Sequence, residues 1–99
     1  MIEIRRTAAF DRWLRNLRDR IGKARILARL ESAGRGNFGD CATVGDGVME
    51  MRIHAGPGYR VYFFRHGRSV YVLLSGGDKT TQDRDIRRAI AMAREFRES

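Results

Sequence analysis

The sequence predicts a single α+β domain in which helices pack on a largely antiparallel sheet. Helical stripes of apolar residues fill the first third of the chain and its C-terminal end, and three strand-like runs lie between them. Strands that follow one another through short loops pair antiparallel. Because the chain has 99 residues and neither an internal repeat nor a linker, we expect one domain over residues 1–99.

The N-terminal third predicts a short strand followed by a helical hairpin. Residues 1–5 alternate apolar and charged side chains, and Thr7 is a suitable N-cap for the helix that follows. One apolar stripe then recurs at helical spacing, formed by Phe10, Trp13, Leu14, Leu17 and Ile21. The helical pattern continues after Gly22 and ends near Gly34 and Gly36, which predicts two helices or one bent helix.

The middle of the chain predicts a three-stranded meander. Glycines at positions 34, 36, 39, 45 and 47 interrupt the preceding segment, whereas residues 48–55, 59–65 and 70–75 are rich in β-branched and aromatic side chains. From Thr81 onward apolar residues return at helical spacing, and Asp83 and Asp85 suit the first turn of a helix. The predicted order of elements is β-α-α-β-β-β-α.

The first hairpin of this meander predicts a polar face. The loop Gly56-Pro57-Gly58 has three residues, so the simplest register places Ala55 opposite Tyr59. This register predicts the apolar pairs Met51–Phe63 and Ile53–Val61 on one face, and the polar pairs Arg52–Tyr62 and His54–Arg60 on the other. The polar groups then face solvent, meet a carboxylate such as Glu50, or bind an anionic ligand.

A second polar segment, SGGDKTTQ, places Lys79 where the last strand meets the last helix. Glycines permit a tight turn there, and a helix N-terminus offers N–H donors that suit phosphate. The alternative is a simple turn and cap, in which Thr80 and Asp83 form a pair like a capping box.

The composition favours a polyanionic partner. Basic residues outnumber acidic ones by 20 to 12, which gives a net charge of +8, and 18 of the basic residues are arginines. Arginine binds phosphate through a planar fork and stacks on bases, so nucleic acid is the expected partner. Arginine richness is also typical of genomes with high GC content, and composition alone leaves both explanations open.

Other functional classes find no support in the sequence. No apolar run approaches the roughly 20 residues of a membrane span, and the start lacks a secretory signal, so we expect a cytoplasmic protein with no membrane partner. Cys41 is the only cysteine and the two histidines are far apart, so we expect no disulfide, no metal site and no cofactor. Cys41 is not expected to act as a nucleophile, because no base lies near it in the sequence.

The motifs FDRWL, GNFGD, VGDGVMEMRI, GPGYRVYFF and LLSGGDKTTQDRDI resemble the addiction-module killer proteins, the HigB-like branch of the RelE/ParE toxin superfamily. The resemblance runs from about Phe10 to Ile90. It implies a RelE-like fold and a type II toxin that is neutralised by a cognate antitoxin, expected to be a helix-turn-helix protein, and that binds operator DNA only in complex with it. RNA-cleaving members cut mRNA on the ribosome, whereas others inhibit DNA gyrase. Both activities, and an inactive prophage remnant, stay open here.

The resemblance assigns Arg60, Lys79 and Arg52 to the site. Cleaving RNA without a metal requires removing the 2′-hydroxyl proton, stabilising a phosphorane and protonating the 5′-oxygen. Arg52 and Arg60 would hold the nonbridging oxygens, and Lys79 would assist them or take part in proton transfer. By their chemistry, Tyr62 would stack on a base or donate a proton, and His54 would act as general acid or base.

Two further positions are defined by the comparison with such toxins. Ala42 stands where many such toxins carry a lysine next to the turn at Gly39-Asp40, so a basic contribution from that turn is not expected here, and Ser75 has no assigned role. Neither Arg60 nor Lys79 is expected to point into the core.

Overall fold

The computed structural model describes residues 1–99 and contains one five-stranded sheet with helices on both faces. The elements are β1 (Glu3–Arg6), α1 (Ala8–Asn16), α2 (Arg20–Gly34), β2 (Cys41–Gly45), β3 (Val48–Ile53), β4 (Tyr59–Arg65), β5 (Val70–Asp78), a 3-10 turn (Lys79–Thr81) and α3 (Gln82–Glu98). The strand order is β1-β5-β4-β3-β2. Strand β1 pairs parallel with β5 and all other pairs are antiparallel, so the α+β class is confirmed with a mixed sheet.

One strand was missed by the sequence prediction. Residues Cys41–Gly45, where no strand was predicted, form the edge strand β2, which pairs with β3. The glycines in this segment shape a tight turn instead of preventing a strand: Gly45, Asp46 and Gly47 have φ angles of 127°, 53° and 77°, which are accessible to glycine and tolerated by aspartate. The meander therefore has four strands, and the order of elements is β-α-α-β-β-β-β-α.

The helical hairpin is confirmed as two helices, but its break precedes Gly22. Thr7 caps α1, because its hydroxyl oxygen accepts the N–H of Phe10 at 3.1 Å. Asp19 caps α2 in the same way through the N–H of Gly22, at 2.9 Å. The apolar stripe predicted to run through the break is therefore wrong at its end, since Ile21 is 71% exposed.

Two separate cores form on the two faces of the sheet. Helices α1 and α2 cover one core, which includes Phe10, Leu14, Ile26, Leu30, Met51, Val61 and Phe63. Helix α3 covers the other, which includes Val48, Tyr62, Phe64, Leu74, Ala89 and Ala93. Side chains of β4 alternate between the two cores, so this central strand is buried on both faces and appears in the sequence as one continuous apolar and aromatic run. None of the helices combines the length and the apolar character that crossing a membrane would need.

The predicted register of the β3–β4 hairpin is wrong by two residues. The structure pairs Ile53 with Tyr59 and Arg52 with Arg60, so the loop spans residues 54–58. Because side chains alternate with a period of two, this shift exchanges the partners but leaves each residue on its predicted face.

A contact between the hairpin and the helices fixes the start of β4. The Tyr59 hydroxyl donates to Asp19 Oδ2 at 2.9 Å, while Asp19 Oδ1 accepts the N–H of Gly22. These hydrogen bonds, the one from Gly22 first, hold the pKa of Asp19 below its ordinary value. Gly22 is required at this point, because a Cβ there would collide with the Tyr59 ring.

Asp19 should make the stability of the protein depend on acid pH. Because the pKa of Asp19 is lowered on folding from an ordinary value of 3.8, its carboxylate stabilises the fold above that pH and loses this effect as the pH falls through the lowered pKa. Asp19→Asn retains an acceptor for Gly22 but does not titrate. Urea unfolding between about pH 5 and about pH 2 should show a shallower loss of stability in the variant than in the wild type. Identical slopes would contradict this role of Asp19.

The packing of α1 on β5 requires a glycine at position 76. A Cβ on Gly76 would overlap the Trp13 ring, whereas one on Gly34, at the end of α2, would meet nothing within 4 Å. We expect Gly76→Ala to lower the free energy of unfolding by about 2 kcal/mol through overpacking. Gly34→Ala, the matched control, should leave it unchanged or raise it by up to about 1 kcal/mol. Equal stability of both variants in chemical denaturation would show that α1 is not packed as described.

Candidate functional site

The predicted site residues gather at one end of the sheet, where β3 ends, β4 begins and β5 ends. An open groove of about 590 Å³ lies there, lined by His54, Ala55, Gly56, Pro57, Gly58, Arg60 and Lys79. Arg60 and Lys79 are basic, His54 can take up a proton, and none of the lining side chains is acidic. The groove can therefore bind an anion without repulsion from a carboxylate on its walls.

Arg60 is the most deeply placed cation of the chain. It is 8% exposed, and its Nε is buried without any hydrogen-bond partner. Its one ion pair joins this Nε to Glu50 Oε2 at 3.9 Å, which is too long for a hydrogen bond. Gly77 lies opposite Arg60 on β5, and the Asp85 carboxylate of α3 occupies the space that a side chain at position 77 would need. The expectation that Arg60 points away from the core is therefore wrong, and its Nε is a buried donor without a partner.

Glu50, on β3, is fully buried and lies at the centre of this polar cluster. Its Oε2 accepts hydrogen bonds from the Tyr62 hydroxyl at 3.0 Å and from Gln82 Nε2 at 2.8 Å. Its Oε1 accepts one from Arg52 Nε at 3.2 Å. A buried carboxylate is tolerable only with such compensation, which here comes from β3, β4 and α3 together.

Sequence reasoning considered Glu50 as a carboxylate partner but did not include it or Gln82 in the site. The signal for Glu50 was available in the sequence, since this carboxylate stands between the apolar Met49 and Met51 in the run VMEMRI and falls on the same face as Arg52. No such signal existed for Gln82. Its position depends on how α3 crosses the sheet, which the local sequence does not specify.

Tyr62 is part of the core and does not reach the groove. It is fully buried, and burial, followed by the nearby charge and hydrogen bond of Glu50, raises the pKa of its hydroxyl. A ring enclosed in this way cannot stack on a base, and its hydroxyl already donates to Glu50. The prediction that Tyr62 contacts RNA is wrong; its place in the structure is that of a hydrogen-bond donor to the buried carboxylate.

Lys79 is exposed at the start of the 3-10 turn, and it borders the groove from the β5 side. The turn is held by Asp78, whose carboxylate accepts the N–H of Thr80 at 2.9 Å. The predicted capping pair of Thr80 and Asp83 therefore does not form. A different pair forms at the start of α3, where the Thr81 hydroxyl donates a hydrogen bond to Asp85 at 2.6 Å.

His54 lies in the loop after β3, not opposite Arg60 as predicted, yet it lines the same groove. Its side chain is 73% exposed, and its Nε2 lies 2.7 Å from Asp40 Oδ2. The hydrogen bond with His54 is the main reason that the pKa of Asp40 is lowered. The ring is thus held at one nitrogen, while Nδ1 remains available.

Arg52 does not line the groove but lies beside it, bonded to Glu50. It lies directly opposite Arg60 on the neighbouring strand, and its side chain is 39% exposed. The structure thus brings Arg60, Lys79 and His54 together around one groove, places Arg52 beside them, and removes Tyr62 from the surface. No cluster of three or more His, Cys, Asp or Glu side chains has a spacing that could hold a metal ion.

Comparison with known proteins identifies the family. The family described as "Phage derived protein Gp49-like" matches residues 10–98. A protein of Haemophilus influenzae (strain ATCC 51907 / DSM 11121 / KW20 / Rd), described as "Uncharacterized protein", is 47% identical over 95 residues, which cover 96% of this chain and 96% of that protein. No solved structure matches the chain. The chain belongs to the Gp49-like phage-derived proteins, a family related to the RelE/ParE-like toxins.

Proposed function

We propose that this protein is the toxin of a type II toxin–antitoxin pair, of the HigB-like kind, and that it cleaves mRNA on the ribosome without a metal ion. The observation that carries the proposal is the Arg60 guanidinium, held beside a buried carboxylate with an unpaired Nε at a groove that also contains Lys79 and His54. The relation of the family to RelE/ParE-like toxins supports it.

The groove offers each group that the cleavage needs. The 2′-hydroxyl attacks the adjacent phosphorus, a 2′-O–P bond forms and the P–5′-O bond breaks, which leaves a 2′,3′-cyclic phosphate and a 5′-hydroxyl. Arg60 and Lys79 would hold the nonbridging oxygens, on which negative charge grows in the phosphorane. Because Asp40 binds Nε2 of His54, Nδ1 would take the proton of the 2′-hydroxyl, and the Lys79 ammonium would give a proton to the leaving 5′-oxygen.

The proposed partners follow from the surface charge. A net charge of +8 attracts both RNA and an acidic antitoxin segment, and the exposed Ile21 and Leu27 on α2 would give such a segment apolar area to cover. We propose a cognate antitoxin of the helix-turn-helix kind, with operator DNA bound only by the complex.

Lys79→Ala should relieve toxicity without loss of the fold. Lys79 is exposed at the groove, so its loss removes charge from the phosphorane site and leaves the core intact. We expect mRNA cleavage to fall by about 10²-fold. Lys23→Ala is the matched control, because Lys23 is the other lysine of the chain and lies on α2 away from the groove. The measurement is growth after induction, with primer extension on cellular mRNA before and after translation initiation is blocked.

The same experiment separates the alternatives. Growth arrest with intact mRNA and accumulation of cleaved DNA would replace the proposal with inhibition of DNA gyrase. Normal growth despite soluble wild-type protein would indicate an inactive remnant. Cuts that persist when initiation is blocked would show that the ribosome is not required.

Arg60→Lys should separate charge from geometry. Lysine retains the positive charge beside Glu50 but lacks the planar fork that binds two phosphate oxygens at once. We expect the cleavage rate on programmed ribosomes to fall by about 10²-fold. Arg65→Lys, an exposed change at the other end of β4, should cleave like the wild type. An Arg60→Lys protein that melts normally and cleaves at the wild-type rate would remove Arg60 from the site.

A further inference from the structure

We infer that Glu50 is the positioning residue of the site. Its buried carboxylate holds the Arg60 guanidinium in place at the groove from the interior of the protein. The inference rests on the proposed function for its catalytic consequence, and on geometry alone for the placement of Arg60. Glu50 is fully buried and therefore cannot touch a substrate itself. Of the side chains that contact Glu50, only Arg60 lines the groove, so the effect of Glu50 on a reaction there acts through Arg60.

The cross-strand register brings two positive charges together, and Glu50 compensates them. Arg52 and Arg60 are direct partners on β3 and β4, and like charges in that position repel each other. The Glu50 carboxylate lies between their positions on the same face, with Oε1 toward Arg52 and Oε2 toward Arg60. The two cations can therefore stay side by side at the end of the sheet.

The two arginines are not held in the same way. Arg52 Nε donates a hydrogen bond of 3.2 Å to Glu50, which uses this donor. Arg60 Nε stays at 3.9 Å, because Oε2 is already bound by Tyr62 and by Gln82. Glu50 thus attracts the Arg60 guanidinium electrostatically without taking up its buried Nε–H in a hydrogen bond.

The arrangement at Oε2 depends on Gln82, the first residue of α3. Its amide donates to Glu50 at 2.8 Å, so α3 takes part in setting the position of the carboxylate. A shift of the start of α3 would change the acceptor that faces Arg60. Gln82 is therefore the second member of the positioning pair. A substitution of Gln82 tests the pair with less disturbance than a substitution of Glu50, because it leaves the buried charge in place.

Glu50→Gln is the principal test, because it preserves the shape and removes the charge. We expect turnover of mRNA on programmed ribosomes to fall by about 10²-fold, with KM changed by less than about threefold, since binding depends on exposed basic residues and the chemical step on Arg60. The matched control is Asp46→Asn, which neutralises a carboxylate in the turn before β3, away from the groove, where it pairs with Arg94. It should keep turnover within about threefold of the wild type.

A second measurement is independent of cleavage. The Nε–H signal of Arg60, identified by its absence in Arg60→Lys, should show an ordered side chain in the wild type by ¹⁵N relaxation and a mobile one in Glu50→Gln. An Arg60 that is equally ordered in both proteins would overturn the inference, even where cleavage is lost. A wild type that does not cut mRNA, but whose Arg60 loses order in Glu50→Gln, would overturn the proposed function alone and support the positioning role.

Gln82→Ala keeps the inference testable if Glu50→Gln does not fold. This variant leaves the charge of Glu50 and the core residues in place and removes one hydrogen bond from Oε2. Turnover should fall by about threefold to tenfold, with reduced order at Arg60. Wild-type turnover together with wild-type order at Arg60 in this variant would contradict the positioning role of the Glu50–Gln82 pair.

Discussion

The buried carboxylate of Glu50 is the interaction on which the α3 side of the sheet depends. It is fully enclosed and accepts hydrogen bonds from residues of β3, β4 and α3. Removing one partner of such a group leaves a buried charge or donor uncompensated, which costs several kcal/mol in typical proteins. The same network explains why Arg60 can be nearly buried in the central strand. Its charge is balanced, although its Nε has no hydrogen bond.

The groove itself is set by the opposite face of the sheet. Tyr59 points toward the helices and binds Asp19, which caps α2, so the start of β4 is tied to the helical hairpin. Its neighbour Arg60 must then point to the other face, beside Glu50. The preceding loop packs at Gly58 against Lys79, where a Cβ would be only 3.5 Å from the lysine Cβ. Arg60 and Lys79 thus line the same groove, because β4 is held in place from both faces of the sheet.

Features of this structure that depend on neighbouring residues could be predicted from the sequence, and features that depend on distant contacts could not. Periodicity was enough for three helices, for β3, β4 and β5, and for the faces of the hairpin, because a period of two or 3.6 is written in adjacent residues. It failed for β2, whose glycines form the turn at Asp46, and for the hairpin register, where the contact of Tyr59 with Asp19 lies 40 residues away in sequence. Tyr62 was misplaced because its exposure depends on α3, which covers that face.

Charge and placement have separate roles in this molecule. Most of the 18 arginines are exposed. Their attraction for a polyanion acts over a long range, does not depend on how the polyanion is aligned, and is reduced by salt. Arg60 differs, because it is the only buried arginine and its guanidinium is surrounded by fixed groups that screen it little. Added salt should therefore weaken the approach of RNA far more than the stabilisation of charge at the groove. The surplus of arginines brings the partner to the surface, and the environment of one of them determines what can happen there.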